Sequence, residues 1–321
     1  MQAKEDAVKQ ANNALAGSLA AQAESIKNDN HALALLLGAE AYSRYPGSLI
    51  TRTTLFDLLQ FTAYKKVDDF NGTLNSAAVS PDGARIAIAS HNKDNPDLGE
   101  IRLFNETMDK DKAVILPEEY GNIYSLAFYQ YSDKLILAAG GCDPKGCAQP
   151  QGQITLWEIN NTGTSLLAQV SAHTSLVKTI AFSPDGKFLA SGSYDTTIWL
   201  WDLSDLKKPS IVDQPLKHLS FVNDISFSPD GKYLVSAGDD RAIYVWDISQ
   251  QNNIPQPVIY NKVYTAPVTS VAFRPDGKTL ASAGNDNLVR LWDWNDGSLS
   301  PQPKYTLTGH TGYVKIGRAH V

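Results

Sequence analysis

The chain repeats itself. Aligning the aromatics Phe104, Trp157, Trp201, Trp246 and Trp292 gives intervals of 53, 44, 45 and 46 residues by subtraction, and the next residue is Asn105, Glu158, Asp202, Asp247 and Asp293. Turn signals recur at matching places: SPDG at Ser80, Ser183 and Ser228, RPDG at Arg274, and a weaker YSDK at Tyr131. In the clearest unit, 173–202, apolar residues alternate at Ile180 and Phe182, at Phe188 and Ala190, and at Ile198 and Leu200. That period of two predicts three short strands joined by two tight turns. Pro184 presets φ in the first turn, Asp185 bonds its own backbone, and Gly186 accepts a positive φ. A unit of this length carrying about four strands cannot bury both faces alone, so it must stack on its neighbours.

These residues closely resemble the WD-repeat β-propeller family over roughly 63–315. The resemblance implies a mostly β fold: five propeller blades plus the start of a sixth, an incomplete ring, with about three α-helices before it. It also implies a buried polar set in each blade, made of a His before the first strand, a Ser or Thr in the second, an Asp in the next turn and the Trp of the third. The matching positions are His173, Ser191, Asp195 and Trp201, then His218, Ser236, Asp240 and Trp246. The fifth blade reads Tyr264, Ser282, Asp286 and Trp292, where Tyr for His breaks the pattern. Phe70 and Glu119 stand at the His position of the first two blades and Gln151 replaces an Asp, so those blades are expected to be less tightly tied.

A His, Ser and Asp in one cluster also suggest a hydrolase, but an active site is needed once and this set recurs blade after blade. No catalytic residue, cofactor site or metal site is therefore assigned. The net charge of −6 and the absence of a long Lys/Arg run argue against nucleic acid as a partner. Cys142 and Cys147 flank DPKG in an insertion of the second blade. With nothing else pointing to an oxidising compartment they are expected to be free thiols in a cytoplasmic protein.

Residues 1–62 form a separate helical segment by their pattern: one helix ending near Lys27, a second capped by Asn30 and stopped by Pro46-Gly47, a third capped by Ser48. Its longest apolar run, 32–39, is too short to span a bilayer. Such helices resemble those preceding the propeller in bacterial multidomain signalling proteins, where an effector lies upstream and sometimes a membrane helix with it. TAYKKVDDF, 62–70, is expected to supply an outer strand. Insertions after the second strands of blades one and two, including His91 and the two cysteines, fall at one end of the repeat. The tail 316–321, IGRAHV, does not continue the repeat and matches one reading frame of a common sequencing adapter. It is expected to be read-through, with the natural protein carrying more blades.

Family comparison places partner-contacting side chains three and five residues after the His and one before the turn Asp. Counting gives Leu176, Lys178 and Tyr194 on blade three, and Phe221, Asn223 and Asp239 on blade four. Blade five gives Pro267, Thr269 and Asn285, and blade two Asn122 and Tyr124. Tyr124, Leu176, Tyr194 and Phe221 would make an aromatic and apolar patch with a polar rim, the composition of a protein-binding hot spot. Leu176 and Phe221 plugging the central channel is the structural alternative. The function expected is a non-catalytic scaffold or sensor that binds a protein or peptide; a hydrolase with its site in the channel is the alternative.

Overall fold

The computed structural model describes residues 74–91, 98–105, 114–116, 121–131, 133–143, 151–160, 163–249, 256–260, 263–312 and 314. The expected helices of 1–62, the strand of 62–70, the tail 316–321 and the positions Phe70, Glu119 and Cys147 lie outside them. All described residues belong to one compact unit, and they contain strands and turns but no helix.

Five antiparallel sheets follow one another along the chain. The first is β1 (Leu74–Val79), β2 (Arg85–His91), β3 (Gly99–Asn105) and β4 (Val114–Ile115). The second is β5 (Ile123–Tyr131), β6 (Lys134–Cys142), β7 (Gly152–Asn160) and β8 (Gly163–His173). The third holds β9 (Val177–Phe182), β10 (Phe188–Ser193), β11 (Thr197–Asp202), β12 (Ser210–Ile211) and β13 (Leu216–Lys217). The fourth holds β14 (Val222–Phe227), β15 (Tyr233–Gly238), β16 (Ile243–Asp247) and β17 (Val258–Tyr260). The fifth holds β18 (Val268–Phe273), β19 (Thr279–Gly284), β20 (Val289–Asn295), β21 (Ser298–Leu299) and β22 (Tyr305–Leu307).

Each sheet is a meander from its first strand outward, and β1, β5, β9, β14 and β18 pack successively against one another. The period of two explains the stacking. On β11, Ile198 and Leu200 enter a core shared with Val222, Ile225 and Leu234 of the fourth sheet, while Trp201 enters one shared with Ile136, Ile154 and Leu156 of the second. Equivalent cores join the first sheet to the second and the fourth to the fifth, so interior sheets are apolar on both faces.

The approach is tightest near the start of each inner strand. A Cβ on Gly140 would lie 2.7 Å from Val177 of the next sheet, and one on Gly192 2.7 Å from Val222. By register the same position is Ala89, Ala237 and Ala283 in the other sheets, so only the smallest residues occupy it.

Both turns take their shape from side chains. In SPDG, Ser183 Oγ donates to Asp185 Oδ1 at 2.7 Å and accepts the Phe188 N–H at 2.9 Å, while Gly186 carries φ 71°. In the second turn the strained position follows the Asp: Thr196, Arg241 and Asn287 have φ of 71°, 63° and 62°. The turn Asp compensates there, Asp195 Oδ1 accepting the Thr197 N–H at 2.9 Å.

Candidate functional site

The five inner strands share one irregularity, a register shift between their first and third residues. The second residue is left out of the ladder as a bulge, which re-aims its side chain. Those residues are Asn75, Tyr124, Lys178, Asn223 and Thr269. Three of them clip consecutive units together: Asn75 Nδ2 donates to the Ile123 carbonyl at 2.9 Å, Asn223 Nδ2 to Val268 at 3.0 Å, and Thr269 Oγ1 to Val314 at 2.5 Å. The third residues make a second clip. Ser76 Oγ accepts the Leu126 N–H at 3.0 Å, Ser125 Oγ the Ile180 N–H at 3.1 Å, and Asp224 Oδ2 the Val271 N–H at 3.0 Å.

Tyr124 and Lys178, the other two, border a cavity of about 420 Å³ with Tyr194, Asn223, Asp239, Thr269 and Asn285. Lys178 Nζ lies 5.0 Å from the Tyr124 ring centre and 5.8 Å from that of Tyr194. Tyr194 stacks on Phe221, with centroids 4.6 Å apart and planes 12° apart. Burial pushes the Tyr124 hydroxyl pKa up; the Tyr194 pKa rises through burial first, then through Asp239 and Tyr124.

Seven of the counted positions thus meet at one mouth. Phe221 does not border the cavity; it flanks it, 42% exposed, beside Leu219, which is 87% exposed and which no counting rule indicated. Leu176 and Pro267 are half-buried and do not border it either. Asn122 is a correction. It is buried, and its carbonyl accepts the Cys142 N–H at 3.0 Å, as those of Leu176, Phe221 and Pro267 accept the N–H of Tyr194, Asp239 and Asn285. Cys142 therefore holds the turn position of the second sheet. It is also disulfide-bonded rather than a free thiol, which overturns that expectation.

The polar sets lie behind this mouth and join consecutive sheets, since His173 ends β8 of the second sheet and Ser191 sits on β10 of the third. His173 Nδ1 is 2.9 Å from Asp195 Oδ2, its Nε2 is 2.8 Å from Ser191 Oγ, and Trp201 Nε1 donates to that same oxygen at 2.9 Å. His218, Asp240, Ser236 and Trp246 repeat this at 3.0, 2.6 and 2.8 Å. Burial raises the Asp195 pKa, but hydrogen bonds from His173 and Thr197 outweigh it and hold the carboxyl down to about 2.

In the fifth sheet Tyr264 Oη meets Ser282 Oγ at 2.7 Å, and Trp292 Nε1 donates to Ser282 at 2.9 Å. Arg290 takes over the Asp: its Nη2 lies 2.8 Å from Asp286 Oδ2, both side chains buried, and its guanidinium sits 4.9 Å from the Tyr264 ring centre. The N–H is not aimed along that contact, so it is an ion pair rather than a hydrogen bond. The sequence reading missed Arg290 because a charged residue in an alternating strand reads as solvent-facing. Ser191, Ser236 and Ser282 are fully buried with their oxygens already engaged, so none is an available nucleophile. In the first two sheets Ile88 and Ala139 occupy the Ser position by register, and the set is absent there.

Three stretches, 164–202, 213–247 and 259–293, match the family described as WD domain, G-beta repeat. Those three stretches, about a third of the chain, are similar to WD40 repeats. Similar proteins include the nuclear distribution protein PAC1 of Candida albicans, 43% identical over 56 residues, 17% of this chain and 12% of that one. The WD repeat and SOCS box-containing protein 1 of Xenopus tropicalis is 29% identical over 142 residues, 40% of this chain and 31% of its own. The WD repeat-containing protein SL1-17 of Schistosoma mansoni is 28% identical over 159 residues, covering 49% and 46%. The chain thus spans less than half the length of each. All three are eukaryotic, which lends the expected bacterial likeness no support. Among the described residues no helix is long and apolar enough to cross a membrane.

Proposed function

We propose that the WD40 repeats form a non-catalytic interaction module that receives a protein or peptide segment over the mouth bordered by Tyr124, Lys178, Tyr194 and Asp239. It serves as a scaffold or sensor for a signalling or effector domain of the full protein. The observation that carries this reading is the stacked Tyr194–Phe221 pair, whose outer member stays 42% exposed beside an 87% exposed Leu219. Aromatic and apolar side chains held rigidly at a polar cavity rim are the composition of an interface hot spot.

A hydrolase would need an exposed nucleophile beside a free base, and the buried Ser–His–Asp sets, whose serine oxygens are already engaged, supply neither. The acidic net charge favours a protein or peptide over nucleic acid. A cytoplasmic setting, expected on the free-thiol reading, is weighed against by the disulfide at Cys142, since such bonds persist in oxidising surroundings. The test is affinity capture of partners with Tyr194→Ala and Phe221→Ala against the unaltered chain. Loss of the same partners in both variants, with melting temperatures unchanged, supports the reading; full retention in both refutes it.

A further inference from the structure

The mouth has two electrostatic halves. On one, Lys178 already lies over Tyr124 and Tyr194. On the other stands Asp239, whose Oδ1 accepts from Asn223 Nδ2 at 2.7 Å. The second proton of that amide is spent on the Val268 carbonyl, so Asn223 has nothing more to give. No Lys, Arg or His among the described residues forms an ion pair with Asp239, in contrast to Asp195, Asp240 and Asp286 one turn position away. The cavity it borders is also lined by the neutral Thr269 and Asn285, a second carboxylate, Asp224, and the cation Lys178. Beside it lies the flat Tyr194–Phe221 stack.

We propose that this part of the mouth receives an arginine side chain of the protein partner, with its guanidinium on Asp239 and its plane on the exposed Phe221 ring of the Tyr194–Phe221 stack. This rests on the functional reading above and adds the chemistry of the occupant. A carboxylate beside an aromatic face complements a cation, and guanidinium suits both, because it bonds carboxylates through two N–H groups and stacks on rings. The chain's net charge of −6 draws such a segment in. Lys178 is then the internal competitor: its ammonium lies 5.8 Å from the Tyr194 ring centre at the same cavity and repels the incoming cation.

The two variants are therefore expected to act in opposite directions. A phage-displayed random heptapeptide library is selected on the immobilised full chain, and the best binder is measured by fluorescence polarisation. Arginine enriched at one position is the expected result, with its replacement by glutamine weakening binding about tenfold or more. Asp239→Asn, which keeps an acceptor for Asn223, weakens binding comparably and erases the arginine preference. Lys178→Met tightens it by about threefold. Binders that select aspartate or glutamate, and are lost in Lys178→Met, overturn the arginine assignment while the mouth remains a binding surface. Failure to select any binder, or binders indifferent to both Asp239→Asn and Tyr194→Ala, overturns both readings.

Discussion

Replacing Ser191 by Ala removes one oxygen and strands two buried partners. The direction of every bond around it follows from the Asp195 carboxylate, which only accepts: His173 must carry its proton on Nδ1, leaving Nε2 as the acceptor of the Ser191 hydroxyl proton. That hydroxyl in turn accepts from the Trp201 indole, a group that can only donate. Without it the indole N–H and His173 Nε2 are both unpaired in a site that water does not reach, Ser191 being 0% and His173 3% exposed. At ~1–3 kcal/mol for each orphaned group, less some relaxation, the loss comes to about 3 kcal/mol. For a domain of this size unfolding as one unit, that is a melting temperature lower by roughly 6–12 °C. Ser282→Ala is the internal comparison. There the Tyr264 hydroxyl, which both donates and accepts, sits 2.7 Å from the deleted oxygen and can turn to take the Trp292 indole, so the loss falls to about 1 kcal/mol. Urea denaturation followed by tryptophan fluorescence gives both values. A Ser191→Ala loss below about 0.5 kcal/mol, or equal losses at the two sites, would refute the bond directions assigned here.

Arg290→Met should destabilise by about 3 kcal/mol, because it leaves the Asp286 carboxylate buried without its cation; adding Asp286→Asn should restore part of that in the same denaturation assay. Thr196→Asn should stabilise by about 1 kcal/mol, since a β-branched residue at φ 71° is strained and Asn tolerates that region; a calorimetric melting temperature that falls instead would contradict this. Asp195, held down to about 2 in the fold, binds its proton more tightly in the unfolded chain. Its contribution is therefore complete above about pH 4 and is lost as pH falls toward 2, so urea midpoints between pH 5 and 2 should drop less steeply in Asp195→Asn than in the unaltered chain.

The blades were legible because their cues are local and redundant. Each SPDG turn supplies its own hydrogen bonds, and each Trp–Asp pair closes a strand whose alternation is forced by burial on both sides. The site was legible in part. Counting from His173 and His218 reached Lys178, Tyr194, Asn223 and Asp239; in the second sheet the same frame reached Tyr124 at the cavity and Asn122, which is buried. The bulge that turns Tyr124 and Lys178 toward the mouth leaves no mark in composition, because a skipped ladder position is set by pairing between strands. Arg290 was hidden for the opposite reason. Its partner Asp286 had been assigned to a histidine-type set, so nothing in the linear pattern demanded a cation four residues later. The disulfide at Cys142 was equally out of reach, since two cysteines in a loop are compatible with either oxidation state.

The paired clips on the inner strands divide labour between adjacent residues. Where Asn75 or Asn223 fastens a seam, its neighbour Ser76 or Asp224 fastens it again; in the seams that follow Tyr124 and Lys178, Ser125 accepts from the following sheet and Thr179 donates to Asp224 at 3.0 Å. Chemistry at the opening can thus change one bulge at a time without loosening the stack. A lineage can rewrite what the mouth holds while inheriting the frame around it unaltered.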